Sequence, residues 1–262
     1  MQRFFENWTT RDLGEAAARL PRLVPILPVA AVEAHGPHLP LGTDAILARS
    51  MVAKVAALAE PDWPGLFLPV QSFGASAEHG RFPGTIDLGW RTFGDCVLAI
   101  GRSLKRAGFE RMAIVNAHGG NSAMMSQTAL DLRAEDGLFV ATTSWLRFGY
   151  PDGLLPAGEI AEGIHGGAVE TSLMLHLAPE LVRREHIADF PSRQRDLVRT
   201  NRFLTAHGRH GFGWMSDDLN PAGVVGDARL ASAKIGRAIA DHQAKGFLAF
   251  VEEVSAFEAG GR

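Results

Sequence analysis

Short apolar runs alternate with amphipathic stretches along the chain. Residues 23–32, 66–70, 112–115 and 138–142 are each rich in Val, Ile, Leu or Phe and bounded by Gly, Pro or Asn, which predicts buried strands. Between them the apolar positions shift to the helical period. Leu47, Met51, Val55 and Leu58 form one stripe, with Thr43 or Asp44 available as N-cap. The same pattern predicts helices over 90–106, 121–133 and about 167–177, and a long last helix over 228–257. Strand and helix in alternation imply the α/β class, here a three-layer α/β/α sandwich with a mostly parallel central sheet. No repeat, linker or low-complexity tract divides residues 1–262, so a single domain is expected, with a loose tail at EAGGR.

Sheets of this kind bind ligands beyond the carboxyl ends of their strands. The polar residues obey that rule. Glu33 and His35 follow the first predicted strand, the loop GASAEHGRFPGT follows the second, and Asn116 and His118 follow the third. The run EAHGPHLPLGTD places two carboxylates and two imidazoles on one Pro- and Gly-rich loop. In extended chain Glu33 and His35 share a side. Asp44, arriving after the loop folds back, has two oxygens and can bridge two cations about 3.5–4 Å apart. A fourth contributor is the segment IHGGAVETSLMLHLA. Its periodicity turns Glu170 at least partly inward, with no Lys or Arg within a helical turn, and a buried carboxylate without a counter-charge is costly. A divalent cation would supply that charge. His165 precedes this helix beside two glycines that let the backbone approach a ligand.

Composition narrows the chemistry. The chain has 262 residues, 46% hydrophobic and 21% charged, with a net charge of −3, which gives no electrostatic reason to expect nucleic acid or an anionic membrane. A small-molecule substrate fits better. Cys96 is the single cysteine, so a metal site must use His and carboxylate rather than thiolate. The opening MQRFFENWTTRDL lacks the apolar core of a secretion signal and no window reaches a membrane span, so a cytoplasmic protein is expected.

At these residues the chain resembles the creatininase family of metal-dependent amidohydrolases. EAHGPHLPLGTD resembles the first metal motif, EHGRFPGTIDL the second loop, NAHGGN the central histidine motif, HGGAVETSLML the catalytic segment and GVVGDARLASAKIG the ending, in order from about residue 23 to 236. The resemblance implies a dinuclear centre with Glu33, His35, Asp44 and His118 as ligands, Asp44 bridging, and zinc or manganese as the ions, with Fe2+ a further option. Creatininase itself carries a glutamate two residues after the central histidine. Gly120 stands there in this chain, and the HGGN type takes its carboxylate from the ETS motif, so Glu170 inherits the ligand role. His165 matches the catalytic histidine, with Glu170 as a second proton-handling group. Creatininase also places a tryptophan four residues before that histidine, where this chain has Ala161, so strict creatinine specificity is not expected. A homohexamer built as a trimer of dimers is implied as well.

Each residue also has a structural reading. Asp44 can cap its helix, Glu33 and His35 can form a surface pair, and His118 before two glycines can mark a turn or an anion nest. His38 is expected behind the ligands, and Glu78 and His79 in the pocket wall. Trp145, Phe148, Tyr150 and Trp214 can line a pocket for a planar substrate or simply fill core. His176, His186, His207, His210 and His242 have no partner pattern. The stretch 193–215, rich in Arg and His, is expected over the active site or at a subunit contact. There is no G-x-S-x-G, H-E-x-x-H, Walker A or G-x-G-x-x-G motif, which removes serine hydrolases, zincins, NTPases and dinucleotide enzymes. What remains is an amidohydrolase acting on a small cyclic amide or formamide, a peptidase acting on a cofactor-precursor peptide, or a metal-stabilised binding protein without turnover.

Overall fold

In the computed structural model, which describes residues 2–258, the four apolar runs form one parallel sheet in the order β2-β1-β3-β4. The strands are β1 (Val24–Val29), β2 (Gly65–Phe67), β3 (Arg111–Asn116) and β4 (Phe139–Ser144), with a small antiparallel pair, β5 (Asp189–Phe190) and β6 (Gly226–Asp227), outside it. The helices are α1 (Thr10–Glu15), α2 (Thr43–Leu58), α3 (Gly89–Arg106), α4 (Ser122–Asp136), α5 (Ala157–Glu162), α6 (Ala168–Leu177), α7 (Gln194–Thr200), α8 (Ser216–Leu219) and α9 (Ala233–Ala256). Alternation along each strand divides the core. Ile26, Ala113 and Val115 pack against Met51 of α2, Leu173 of α6 and Phe247 of α9. Leu27, Met112 and Ile114 point the other way, onto Phe93 and Val97 of α3 and Leu132 of α4. The molecule is therefore the expected three-layer α/β/α sandwich.

Several boundaries differ from the pattern-based expectation, each for a local reason. The second strand ends at Phe67 rather than residue 70, because Pro28 on β1 has no N–H to give the Leu68 carbonyl, the next rung of the ladder. The last helix starts at Ala233 rather than 228: Ser232 accepts the Ile235 N–H at 3.2 Å and caps it, leaving residues 228–230 as a separate 3-10 turn. Neither Thr43 nor Asp44 caps α2. Gly42 occupies that position, and the Asp44 carboxylate faces His35 instead. α9 packs closely on α6: a Cβ on Gly236 would run into the Ser172 carbonyl. Of the tail expected at 258–262, all but Glu258 lies outside the described residues.

The stretch 193–215 folds onto the sandwich through α7. Leu197, Ala206 and Trp214 pack with Leu219, Val225 and Ile164. That places it against the segment leading to His165. No described helix is long and apolar enough to cross a membrane.

Candidate metal centre

Loops from the carboxyl edge converge on one buried cluster. The chain leaves β1, delivers Glu33 and His35, turns at Gly36 with φ +67°, and returns so that the Glu33 N–H reaches the Leu41 carbonyl at 2.9 Å. Asp44 then enters from the first turn of α2. The loop after β2 supplies Glu78 and His79, the end of β3 supplies His118, and the approach to α6 supplies His165 and Glu170.

His35 Nε2 lies 3.2 Å from Asp44 Oδ1, and His118 Nδ1 lies 3.1 Å from Glu33 Oε1 and 3.4 Å from Asp44 Oδ2. Asp44 thus faces both imidazoles, one with each oxygen. Glu170 Oε2 is 3.9 Å from His35 Nε2 and accepts the Gly166 N–H at 2.6 Å. His165 Nδ1 is 3.7 Å and His79 Nε2 3.5 Å from Glu33 Oε1. The His165 ring sits between those of His35 and His79, with centroids 4.2 Å away on each side.

Backbone carbonyls aim three of the rings. His35 Nδ1 donates to Glu33 O at 3.1 Å, His118 Nε2 to Ala75 O at 2.8 Å and His165 Nε2 to Ala34 O at 2.8 Å. Each leaves its other nitrogen facing the cluster, the arrangement that orients metal-binding imidazoles.

With protein charges alone, the cage is held together by protons. Burial alone would push the Glu33 carboxyl up, but His118 and His165 against it bring it down to about 2. Burial opposes Asp44 in the same way, and His35 and His118 hold it well below the usual carboxylate range. The reciprocal effect acts on the rings. Burial would lower His35, yet Asp44, Glu170 and Glu33 raise it to about 10, and Glu33 and Asp44 likewise lift His118 well above its ordinary value. Burial takes His165 down to about 3 and His79 to about 4, helped in each case by His35. Burial also pushes Glu170 up to about 7 and raises Glu78.

This donor set fits divalent cations. Both Glu33 oxygens, Asp44 Oδ2 and His35 Nε2 are buried without a hydrogen-bond partner, an arrangement costly for polar atoms unless something else binds them. All the donors are oxygen or imidazole nitrogen, which suits zinc or manganese. Glu78 and His79, expected in the wall, also come within reach: Glu33, His79 and His165 form one candidate ligand group, and Glu33, Glu78 and His118 another. Glu78 takes up the space beside Gly120, where a Cβ would lie 2.5 Å from Glu78 Oε1. His38 sits behind the cluster as expected, bonded through Nε2 to Gly166 O at 3.0 Å and Thr171 Oγ1 at 2.9 Å.

Two supporting residues escaped the sequence pattern. Asn121, fully buried, accepts the Ala75 N–H at 3.0 Å and donates to Ala30 O and Asn116 Oδ1, each at 3.2 Å, tying together the loops after β1, β2 and β3. Glu159 of α5 accepts from Ala168 N and Asp227 N, each at 2.7 Å, and so anchors the start of α6 behind His165. Beside His118 and Glu170 opens a cavity of about 80 Å³. Trp145 lines it while packing on Phe247, whereas Phe148 and Tyr150 pack against the core and Trp214 under the 193–215 stretch.

Fold and cluster together define an α/β/α protein with a carboxylate and imidazole cage for divalent metal at the sheet's carboxyl edge. The chain belongs to the creatininase family: the family profile, described as creatinine amidohydrolase, matches residues 6–251. Among curated relatives, the mycofactocin precursor peptide peptidase of Mycobacterium tuberculosis is 33% identical over 87% of this chain and 85% of its own length. The creatinine amidohydrolase of Pseudomonas putida is 33% identical over 63% of this chain and 68% of its own. A solved mutant creatininase of Zn-Zn type superposes with a TM-score of 0.77 at 26% identity, covering 98% of this chain and 100% of that one.

Proposed function

We propose that this creatininase-family amidohydrolase hydrolyses an amide C–N bond at a centre of two divalent ions, zinc or manganese, held by Glu33, His35, Asp44, His118 and Glu170. The observation that carries this is the convergence of Glu33 and His35 from the β1–α2 connection, Asp44 from the first turn of α2 and His118 from the β3–α4 connection on one buried cluster whose carboxylate oxygens include three without a hydrogen-bond partner. When bound, such a pair acidifies water from a pKa of about 15.7 toward roughly 7 and draws charge from a carbonyl oxygen.

The chain's own residues supply positioning and proton transfer. Asp44, facing His35 and His118 with opposite oxygens, would be shared between the two ions. His165, neutral and fixed through Nε2 by the Ala34 carbonyl, keeps Nδ1 open toward Glu33. That nitrogen carries no proton at rest, since burial draws it down, and is placed to relay one briefly to the departing amine, which would otherwise leave as an unstable anion. Glu170, 3.9 Å from His35 Nε2 and bonded to the Gly166 N–H, lies beside the same path and is suited to share that traffic. Glu78 and His79 hold Glu33 and His118 in place from the second loop.

For the substrate, similarity to mycofactocin precursor peptide peptidase over most of the chain favours a peptide amide. The small cavity beside the cage favours the second reading, a small cyclic amide or formamide. We further propose that the chain works as one domain in a cytoplasmic homohexamer, which light scattering after size exclusion would check. The function is tested by metal analysis of purified protein coupled to hydrolysis assays on short peptides, creatinine, other cyclic amides and formamides. Two ions per chain with turnover on one class supports it. Protein loaded with metal but inactive on all of them would leave only a metal-stabilised binding protein.

A further inference from the structure

The cavity beside the cage contains hydrogen-bonding capacity that the protein does not use. Its lining includes Asn116, His118, Ser144, Trp145, Glu170 and Gln243. The Asn116 amide is satisfied by the His118 backbone, donating to its carbonyl and accepting from its N–H, and His118 Nε2 by the Ala75 carbonyl. Trp145 and Gln243 are not: indole Nε1 and amide Oε1 are both buried and have no partner. Gln243 is fully buried, in a stretch of α9 that otherwise presents Ile239, Ala240, Ala244 and Phe247 to the core. Its amide nitrogen reaches the Gly149 carbonyl at 3.4 Å, which leaves the oxygen as the open function.

A lone glutamine in an apolar helix face costs stability unless its oxygen finds a donor. The cavity is large enough for a small polar group and ends at Glu170 and His118. A carboxylate there would offer the Gln243 oxygen no proton, so an anion leaves that oxygen unsatisfied. We propose that Gln243, with the Trp145 indole N–H, is a specificity determinant that selects substrates carrying a neutral group able both to give and to accept a hydrogen bond, a carboxamide or hydroxyl, close to the scissile amide. The assignment rests on the amidohydrolase reading of the adjoining cage. A substrate lacking that group would strip water from both atoms and return nothing, a penalty of about 10- to 100-fold in discrimination.

The kinetic test uses zinc-loaded protein and peptide pairs differing at one residue beside the scissile bond, asparagine against leucine and tyrosine against phenylalanine. The wild type should favour a polar member by about 10- to 100-fold in kcat/KM, and Gln243→Leu should abolish or reverse that ratio. Gln243→Met, unbranched like glutamine but without an amide, provides the same comparison if Gln243→Leu does not fold. Equal turnover of both members by the wild type, or an unchanged ratio in the variants, overturns the proposal. A second measurement does not depend on turnover. Acetamide titrated into the purified protein should shift the Trp145 indole N–H resonance, identified by its loss in Trp145→Phe, saturably in the wild type and not in Gln243→Leu. No shift, or a shift that persists in Gln243→Leu, overturns it. If no amide of any class is hydrolysed, the reading of the cage falls while the acetamide titration still decides the role of Gln243.

Discussion

Loading the cage with cations should expel protons, and the charge balance sets how many. Coordination needs the inward nitrogens of His35 and His118 bare. His35 is raised to about 10 and His118 well above its ordinary 6.5, so near pH 7.5 both are protonated in the metal-free protein. Glu170, at about 7, adds a fraction of a proton. Binding two ions should therefore release roughly two protons per chain from the cage, and up to one more from water brought near neutrality by the ions. For His35 alone, displacing a proton held at about 10 from solution at pH 7.5 costs about 3 kcal/mol, roughly 300-fold in apparent affinity. The sign follows: a raised metal-free pKa means protons compete with metal, so affinity tightens as pH rises and levels off once pH passes about 10. With two protons in play, the product of the two binding constants should change about 100-fold per pH unit. Titration calorimetry with zinc at pH 7.5, repeated in buffers of different ionisation enthalpy, reads the proton count directly. Imidazoles with ordinary pKa values would release only about 0.1 proton each at that pH. With at most about one more from bound water, a total of about one proton or less would refute the charge balance described for the cage.

Three further outcomes are expected. His165→Ala should keep its metal content, measured by mass spectrometry, and lose about 100- to 10,000-fold in kcat, because it removes a proton carrier; full activity would mean the wrong histidine has been assigned. Asn121→Ala strands the Ala75 N–H and the Ala30 carbonyl together, so urea unfolding of the metal-free protein should show a loss of about 2–4 kcal/mol, and a loss under 1 kcal/mol would contradict the three-loop tie. Gly236→Ala drives a methyl into the Ser172 carbonyl and should cost about 2–3 kcal/mol or more in the same assay, whereas Gly158→Ala, with nothing within 4 Å, should change little; equal effects would contradict the close approach of α6 and α9.

The layers and the cage were legible in the sequence because both depend on short-range pattern. The apolar runs mark strands buried on both faces, and Glu33, His35 and His118 each stand a few residues beyond such a run, where a parallel sheet presents its ligands. Glu170 was legible as an uncompensated carboxylate in an apolar helix. Other features depend on partners far away in sequence. Asn121 looks like an ordinary helix-start residue until Ala30 and Ala75 are brought beside it. Glu159 reads as a helix acid, and its partner Asp227 lies in a strand of only two residues. His79 and Glu78 read as pocket wall because nothing local shows how far the loop after β2 folds inward over Glu33. Gln243 did carry a local signal, a polar residue in the apolar face of α9, but its meaning depends on the cavity that faces it. Ser232 and Pro28 show that capping and missing N–H groups, rather than hydrophobic period, decide where elements stop.

The central claim, that Glu33, His35, Asp44 and His118 jointly hold a pair of divalent ions, is tested most directly by counting metal in the wild type and in Asp44→Ala. After dialysis against trace zinc or manganese, the wild type should carry about two ions per chain. Asp44→Ala, which removes the oxygens facing both imidazoles, should lose both. A wild type that retains no metal, or an Asp44→Ala protein that still holds two ions, would contradict the account.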